Sequence, residues 1–548
     1  MYDFQGRTLT EERARQFFEQ GLWTKESFVD VLKNNAERFP DLLHRDEQRR
    51  ISYKELWQEV EAVAASLYEM GIRKGDTIGL QMPNTLDYVV AIFGAARIGA
   101  IAVLLQVDLG RDALIQSLKQ VNAKAWILTG HYRGQALYET ALEIQKELPS
   151  IKHVILQGDT SQSDANAIAF TSLRNSRAVL PKDIIDIHKP EALDAFVMVF
   201  TSGTTGSPKG IVHLHANYLW ASRTLIDNFG YESTCGVLDL APISHQTGML
   251  AGVMMTVAIG GRILLLDRFS AGRALKWVEE EKPNFIIGAP PHVIHIANAP
   301  HLKSTNTSSV KVFIYAGAPV PSAVLQRLQE DGGIKVGAMF GWSEGFVAIA
   351  NRPDDPIEAV SHTVGFPLHD IDIRLVDEDG ADVQQGDTGE LWSRGPNFCA
   401  GYYNNPAAAR HQWDEDGWFH SGDLLRQDEN GRFSFVARAD DVINRGGTKI
   451  DPKSVEDVIA AHDAVERVTV VGAPHDTLGQ QTVACIVLKD GAKPFTVQEL
   501  RTFLGDHGLA KFQYPDRLEY FDELPMTHSG KIKNKDLRER FRLEAIGK

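Results

Sequence analysis

The sequence predicts an α/β fold on two observations. Helical and strand-like patterns alternate along most of the chain, and the strand-like runs are short, rich in β-branched or aromatic residues and closed by Gly, Ser or Pro. The chain's 548 residues suffice for more than one structural unit and for a core that needs no covalent staples.

Leu56, Val60, Val63 and Leu67 recur at helical spacing, and Gly71 falls where a C-terminal cap belongs. Thr77-Ile78-Gly79-Leu80 reads as a strand, followed by a helix from about Asp87. Further strand-like runs are Ala125-Trp126-Ile127-Leu128 and residues 195–200, 262–266, 285–287 and 310–314. Such alternation builds parallel sheets covered by helices, with ligands beyond the carboxyl ends of the strands. The longest apolar stretch, residues 248–261, is too short to span a bilayer and contains several glycines, so it reads as buried core.

A second, smaller α+β unit is expected after Arg438-Ala439-Asp440-Asp441. Before this point, Gly431-Arg432-Phe433-Ser434-Phe435 reads as the end of a hairpin. After it, Ser454 and Asp457 read as a capping pair opening a helix with Val455, Val458 and Ile459 on one face. Strands at 468–471 and 483–488 and a helix from about Val497 complete a unit of roughly a hundred residues. The expected domains are 1–437 and 438–548.

A formal charge of −15 argues against broad nucleic-acid binding, which needs a basic face, but leaves room for a nucleotide held by backbone N–H groups and a few cations. Cys235, Cys399 and Cys485 are scattered without metal or disulfide spacing, as in a reducing compartment. The charged N-terminus lacks a signal peptide's apolar run, so a cytoplasmic location is expected, with no transmembrane segment. The sequence leaves a homodimer open.

The strongest local signal is Thr201-Ser202-Gly203-Thr204-Thr205-Gly206-Ser207-Pro208-Lys209-Gly210. It follows the strand at 195–200 and is expected to lead to a helix beyond Asn217. Its glycines allow close backbone approach; its hydroxyls and one ammonium are what a polyphosphate needs. The glycine spacing differs from a Walker A loop. A surface loop of turn formers is the alternative.

The run resembles the phosphate-binding signature of the adenylate-forming superfamily, which includes acyl- and aryl-CoA synthetases, adenylation domains and beetle luciferases. The resemblance extends in order from about residue 50 to 535. It implies a large N-terminal domain of stacked mixed sheets with helices, and a small mobile C-terminal domain that rotates near Asp440 between two half-reactions. Thr201, Ser202, Gly203, Thr204, Thr205, Gly206 and Lys209 would hold the phosphates of ATP.

Further matches follow in order. Gly317-Ala318-Pro319 is similar to the adenine-contact segment. Phe340-Gly341-Trp342-Ser343-Glu344 resembles the next motif, with Phe340 in place of tyrosine and Ser343 in place of threonine; Glu344 matches the magnesium-holding acid. Asp423, in Ser421-Gly422-Asp423, and Arg438 match the ribose contacts, a carboxylate offering a diol two acceptor oxygens. Gly446 and Gly447 match the loop that admits the pantetheine arm of coenzyme A. Lys531, in Ser529-Gly530-Lys531-Ile532, matches the catalytic lysine bridging carboxylate and α-phosphate.

His245 falls where the family places an aromatic residue or histidine beside the acyl pocket, and reads as a gate; an ionised acid needs no base. The text around it is similar to medium-chain acyl-CoA and cyclohexanecarboxylate-CoA ligases. Met249, Leu250 and Met254 are candidate pocket lining, favouring a medium-chain fatty, alicyclic or aromatic acid.

The expected activity is an AMP-forming acid–thiol ligase using ATP, Mg2+ and coenzyme A. One rival is an acyl- or aryl-AMP ligase that loads a carrier protein, although the residues after Lys531 are too few for a fused carrier. A second is a nucleotide-binding protein without catalysis.

Overall fold

The computed structural model describes residues 3–158, 167–182, 184, 188–201, 208–446, 448–526 and 532–546. By compactness the chain falls into two units, Met1–Asp372 with Ser393–Phe419, and Ile373–Trp392 with His420–Lys548. The expected boundary at 437/438 differs from this division. Residues 420–438 form a hairpin, Phe419–Gln427 against Phe433–Arg438, within a four-stranded sheet that also takes in Asp372–Val376 and Thr388–Arg394. Sheet pairing thus ties this hairpin to Asp372–Val376 and Thr388–Arg394.

The larger unit is built on two mixed sheets. An eight-stranded sheet runs from Gly401–Tyr402 through Lys209–Leu214, Ala195–Thr201 and Ile101–Leu104 to Thr77–Gln81, Ala125–Thr129, His153–Gln157 and Ile168–Ala169. From Ala195–Thr201 onward its neighbours are parallel; at the other edge Lys209–Leu214 pairs antiparallel with both its neighbours. In the nine-stranded sheet, Gly236–Asp239, Phe285–Gly288, Val312–Ala316 and Lys335–Trp342 are parallel neighbours, and Phe346–Ala350 returns antiparallel. Central parallel strands such as Thr77–Gln81 and Ala125–Thr129 are buried along their whole length, in keeping with their largely apolar text.

The helix read from Leu56, Val60, Val63 and Leu67 spans Tyr53–Glu69, opened by a capping box between Ser52 and Glu55. Leu86–Arg97 follows Thr77–Gln81, buried along its whole length. The apolar stretch at 248–261 is core, as expected, in an unexpected form: Thr247–Met254 is a π-helix, continued by Met255–Ala258.

The smaller unit also holds a five-stranded sheet, in which Gly479–Leu488 pairs with Ile443–Arg445, Val465–His475 and Arg517–Tyr520. Helices Pro452–Ala460 and Val497–Asp506 pack on one cluster through Val455, Ile459, Leu500 and Leu504. Asp451 caps the first of these, accepting from the N–H groups of Lys453 and Ser454, so the expected Ser454–Asp457 cap is displaced by one turn. Pro452 explains the shift, because proline is favoured in a helix's first turn, where no N–H is needed.

Candidate active site

Thr201 and Lys209 are directly opposed in the antiparallel pair Ala195–Thr201 and Lys209–Leu214. The glycine-rich run therefore connects two strands, rather than a strand and a helix. The helix comes after the second strand, at His215–Phe229. Residues 209–214 read Lys-Gly-Ile-Val-His-Leu and are buried throughout, so β-branched packing on both faces makes them a strand. The candidate phosphate contacts Ser202, Gly203, Thr204, Thr205 and Gly206 lie outside the described residues, as do Gly447 and Lys531.

Lys209 is largely buried. Its Nζ sits 5.0 Å from the centroid of the Tyr402 ring and donates to Gln412 Oε1 at 3.4 Å. A buried ammonium over an aromatic face is stabilised by the ring's negative quadrupole. The same tyrosine's hydroxyl donates to Glu344 Oε1 at 2.7 Å. Burial first, and then the Glu344 charge, push the Tyr402 phenol far above its ordinary range, so it stays protonated as a donor.

Glu344 stands on the turn 343–345 between the antiparallel strands Lys335–Trp342 and Phe346–Ala350. Gly341 makes this return tight: a Cβ there would lie 1.8 Å from the Phe346 carbonyl oxygen. The turn's backbone is held from outside. His213 Nε2 lies 2.8 Å from Ser343 O, the Cys399 N–H donates to Glu344 O at 2.7 Å, and Asn397 Nδ2 donates to Gly345 O at 2.5 Å. Burial pushes His213 down to about 3, so its ring is neutral at physiological pH.

Gly317-Ala318-Pro319 is exposed and continues the strand Val312–Ala316, whose end lies beside that of Lys335–Trp342, with Ala316 opposite Met339. The adenine-contact candidates thus flank one another at two parallel carboxyl ends. The Phe340 and Trp342 rings meet edge to face at 5.6 Å, and Trp342 also leans on Phe398 and Phe419.

In the smaller unit, Asp423 and Arg438 are cross-strand partners, and Arg438 Nε lies 3.0 Å from Asp423 Oδ1. Ser421 Oγ accepts from the Asp423 N–H at 3.0 Å and donates to Leu391 O at 2.6 Å, so its hydroxyl fixes the carboxylate's backbone. Arg445 makes two hydrogen bonds to Asp516 at 2.8 and 2.7 Å, anchoring one side of the Gly446 turn.

His245 is exposed, and its Nδ1 accepts from the Thr247 N–H at 3.2 Å at the start of the π-helix. Met249, Leu250 and Met254 are fully buried side chains of that helix.

A model of the AMP-binding enzyme family matches residues 32–403, and a model of the AMP-binding enzyme C-terminal domain matches residues 454–531. The chain belongs to the AMP-binding enzyme family. This AMP-binding enzyme is 29% identical to the medium-chain fatty-acid–CoA ligase of Escherichia coli (strain K12), over 97% of its own length and 93% of the relative's. It is 28% identical to the 2,3-dihydroxybenzoate-AMP ligase of Bacillus subtilis (strain 168), over 96% of each chain. Its fold is similar to that of a benzoate CoA ligase from Burkholderia xenovorans LB400, with a TM-score of 0.81 and 25% identity, covering 94% of this chain and 100% of that one.

Among the described residues of this AMP-binding enzyme, no cluster of three or more His, Cys, Asp or Glu offers a protein-only metal cage. A single hard carboxylate, Glu344, fits magnesium, which keeps waters and phosphate oxygens as most of its ligands. Sequence reasoning passed over Tyr402, Gln412, Asn217 and Asn397. Tyr402, Gln412 and Asn397 have partners distant along the chain, and Asn217 reaches Asn397 across 180 residues, so no spacing pattern marks them.

Proposed function

We propose that this AMP-binding enzyme activates a carboxylic acid as its acyl-adenylate and transfers the acyl group to coenzyme A. One observation carries the proposal: Tyr402 holds the Lys209 ammonium over its ring and the Glu344 carboxylate on its hydroxyl. Lys209 belongs to the eight-stranded sheet, and Glu344 to a turn joining two strands of the nine-stranded sheet. One tyrosine thus joins the cation ending a glycine-rich run to a carboxylate suited to magnesium, the two charges a triphosphate requires.

In the first step a carboxylate oxygen of the acid attacks the α-phosphorus of ATP, and the bond to pyrophosphate breaks. Glu344 would hold magnesium, which would supply positive charge against the phosphates. Lys209 and the run ending at it would hold the β- and γ-phosphates; Gly317-Ala318-Pro319 and Phe340 would border the adenine; Asp423 and Arg438 would bind the ribose. Lys531 would bridge the two anions as they meet. In the second step the C-terminal domain, 438–548, turns about Asp440. The coenzyme A sulfur attacks the acyl carbon beside Gly446 and Gly447, its proton passes to solvent, and AMP leaves.

The substrate reading is an apolar acid, medium-chain, alicyclic or aromatic, with His245 as gate. It is supported by the apolar text behind His245 and by relatives named for a medium-chain fatty acid and for benzoate. A second reading, release or carrier loading of the adenylate, is favoured by the relative named as an AMP ligase. The reading extends to a cytosolic location, supported by the charged N-terminal text and the scattered cysteines, and to a homodimer, which light scattering decides.

The test is pyrophosphate release over a panel of carboxylic acids, with and without coenzyme A. Acid-dependent release with thioester formation is the expected result. Acyl-AMP without thioester favours the second reading, and no acid-dependent release on any substrate overturns both.

A further inference from the structure

Three consecutive carbonyls, those of Ser343, Glu344 and Gly345, are each gripped by a different distant group: His213, Cys399 and Asn397. One side chain organises two of these grips. The Leu214 N–H donates to Asn217 Oδ1 at 2.8 Å, which fixes the amide's orientation. Its Nδ2 then donates to His213 Nδ1 at 3.0 Å and to the Asn397 carbonyl at 3.2 Å. With Nδ1 accepting, the proton of the neutral His213 ring belongs on Nε2, and so His213 donates to Ser343 O.

The His213 ring also stacks on Phe346, with centroids 4.3 Å apart and planes 22° from parallel. Phe346 holds a φ of +53°, a left-handed conformation that an aromatic residue rarely adopts, directly after the turn. His213 therefore fixes the hydrogen-bonded entry to the turn and the strained exit from it. Tyr218 packs against both rings, and its hydroxyl donates to Gln246, which makes the His213 seat rigid.

We propose that His213 is a positioning residue for magnesium binding, aiming the Glu344 carboxylate by holding the Ser343 carbonyl and clamping Phe346. It touches no reacting atom. The proposal rests on the reading of Glu344 as the magnesium carboxylate. Partners one step from a ligand tune metal affinity by on the order of ten- to a hundredfold.

The experiment measures the magnesium concentration giving half-maximal pyrophosphate release, in wild type and in Glu344→Gln, His213→Leu, His213→Gln and Asn397→Ala. Thioester formation from supplied acyl-AMP is measured alongside. Glu344→Gln raises the magnesium requirement, and His213→Leu raises it by on the order of tenfold. In His213→Leu the thioester step stays within about twofold, as expected for groups that act only when charge builds on the phosphates. His213→Gln, which keeps a donor for Ser343, recovers most of the magnesium affinity. Should His213→Leu fail to fold, Asn397→Ala, which frees the other end of the turn, carries the same expectation. If Glu344→Gln shifts the magnesium requirement and neither His213→Leu nor Asn397→Ala does, the inference about His213 fails alone. If Glu344→Gln leaves it unchanged, the reading of Glu344 falls and the inference falls with it. Equal losses in both half-reactions reduce His213 to a structural residue and overturn the proposal.

Discussion

Tyr402 donates its hydroxyl to Glu344 Oε1 at 2.7 Å while its ring lies under the Lys209 ammonium. A carboxylate that must meet a cation gains from a neutral donor that orients it without competing charge. Replacing Tyr402 by phenylalanine keeps the ring beneath Lys209 and removes only that bond. Adenylation should fall about tenfold, with a matching rise in the magnesium requirement. Pyrophosphate release against magnesium concentration checks this, and an unchanged magnesium curve would contradict it.

Asp423 is buried, the exposed Arg438 lies 3.0 Å from its carboxylate, and Asp423 is proposed as the ribose contact. Asp423→Asn should raise the KM for ATP about ten- to a hundredfold, the loss expected for charged hydrogen bonds to hydroxyls. The decisive readout is a pairing with 2′-deoxy-ATP. Wild type should discriminate against the deoxynucleotide and the variant should not, giving a large coupling in the cycle. Additive effects would remove Asp423 from the ribose.

Lys531 lies outside the described residues, and its role rests on its motif. Lys531→Ala should slow adenylation by at least about a hundredfold, since it removes the charge between two approaching anions. Thioester formation from supplied acyl-AMP should survive. Parallel loss of both half-reactions would argue against a lysine that serves only the first.

Burial pushes His44 down to about 3 from its ordinary 6.5. The folded state therefore binds fewer protons than the unfolded state between those values. The associated stability is present above about pH 6.5 and is lost as pH falls towards 3. His44 Nδ1 accepts from the Ile263 N–H at 3.1 Å, a role an asparagine oxygen can take. His44→Asn should thus lose less thermal stability than wild type between pH 7 and pH 5. Parallel melting curves across that range would show that His44 does not control the acid response.

Some expectations drawn from the text required folding to correct them. Residues 209–214 form a strand where the text suggested passage towards a helix: pairing on both sides, with Ala195–Thr201 and Gly401–Tyr402, buries the segment, and its β-branched Ile211 and Val212 suit that place. The helix after Asp451 took its cap from that aspartate, three residues before Ser454, once Pro452 occupied the first turn.

The sequence by itself determined the α/β class, the order of the chemical motifs and the identities of the charged residues. Those properties are written in contiguous text, since strands and helices repeat every 2 or 3.6 residues and a phosphate loop is a run of neighbours. Only the tertiary structure decided that Tyr402 meets Glu344 across 58 residues and that His213 reaches Ser343 across 130. Such contacts depend on which strands become neighbours in two sheets and on where each chain reversal ends. No periodicity within a segment records that choice. It is made by the packing of the whole unit.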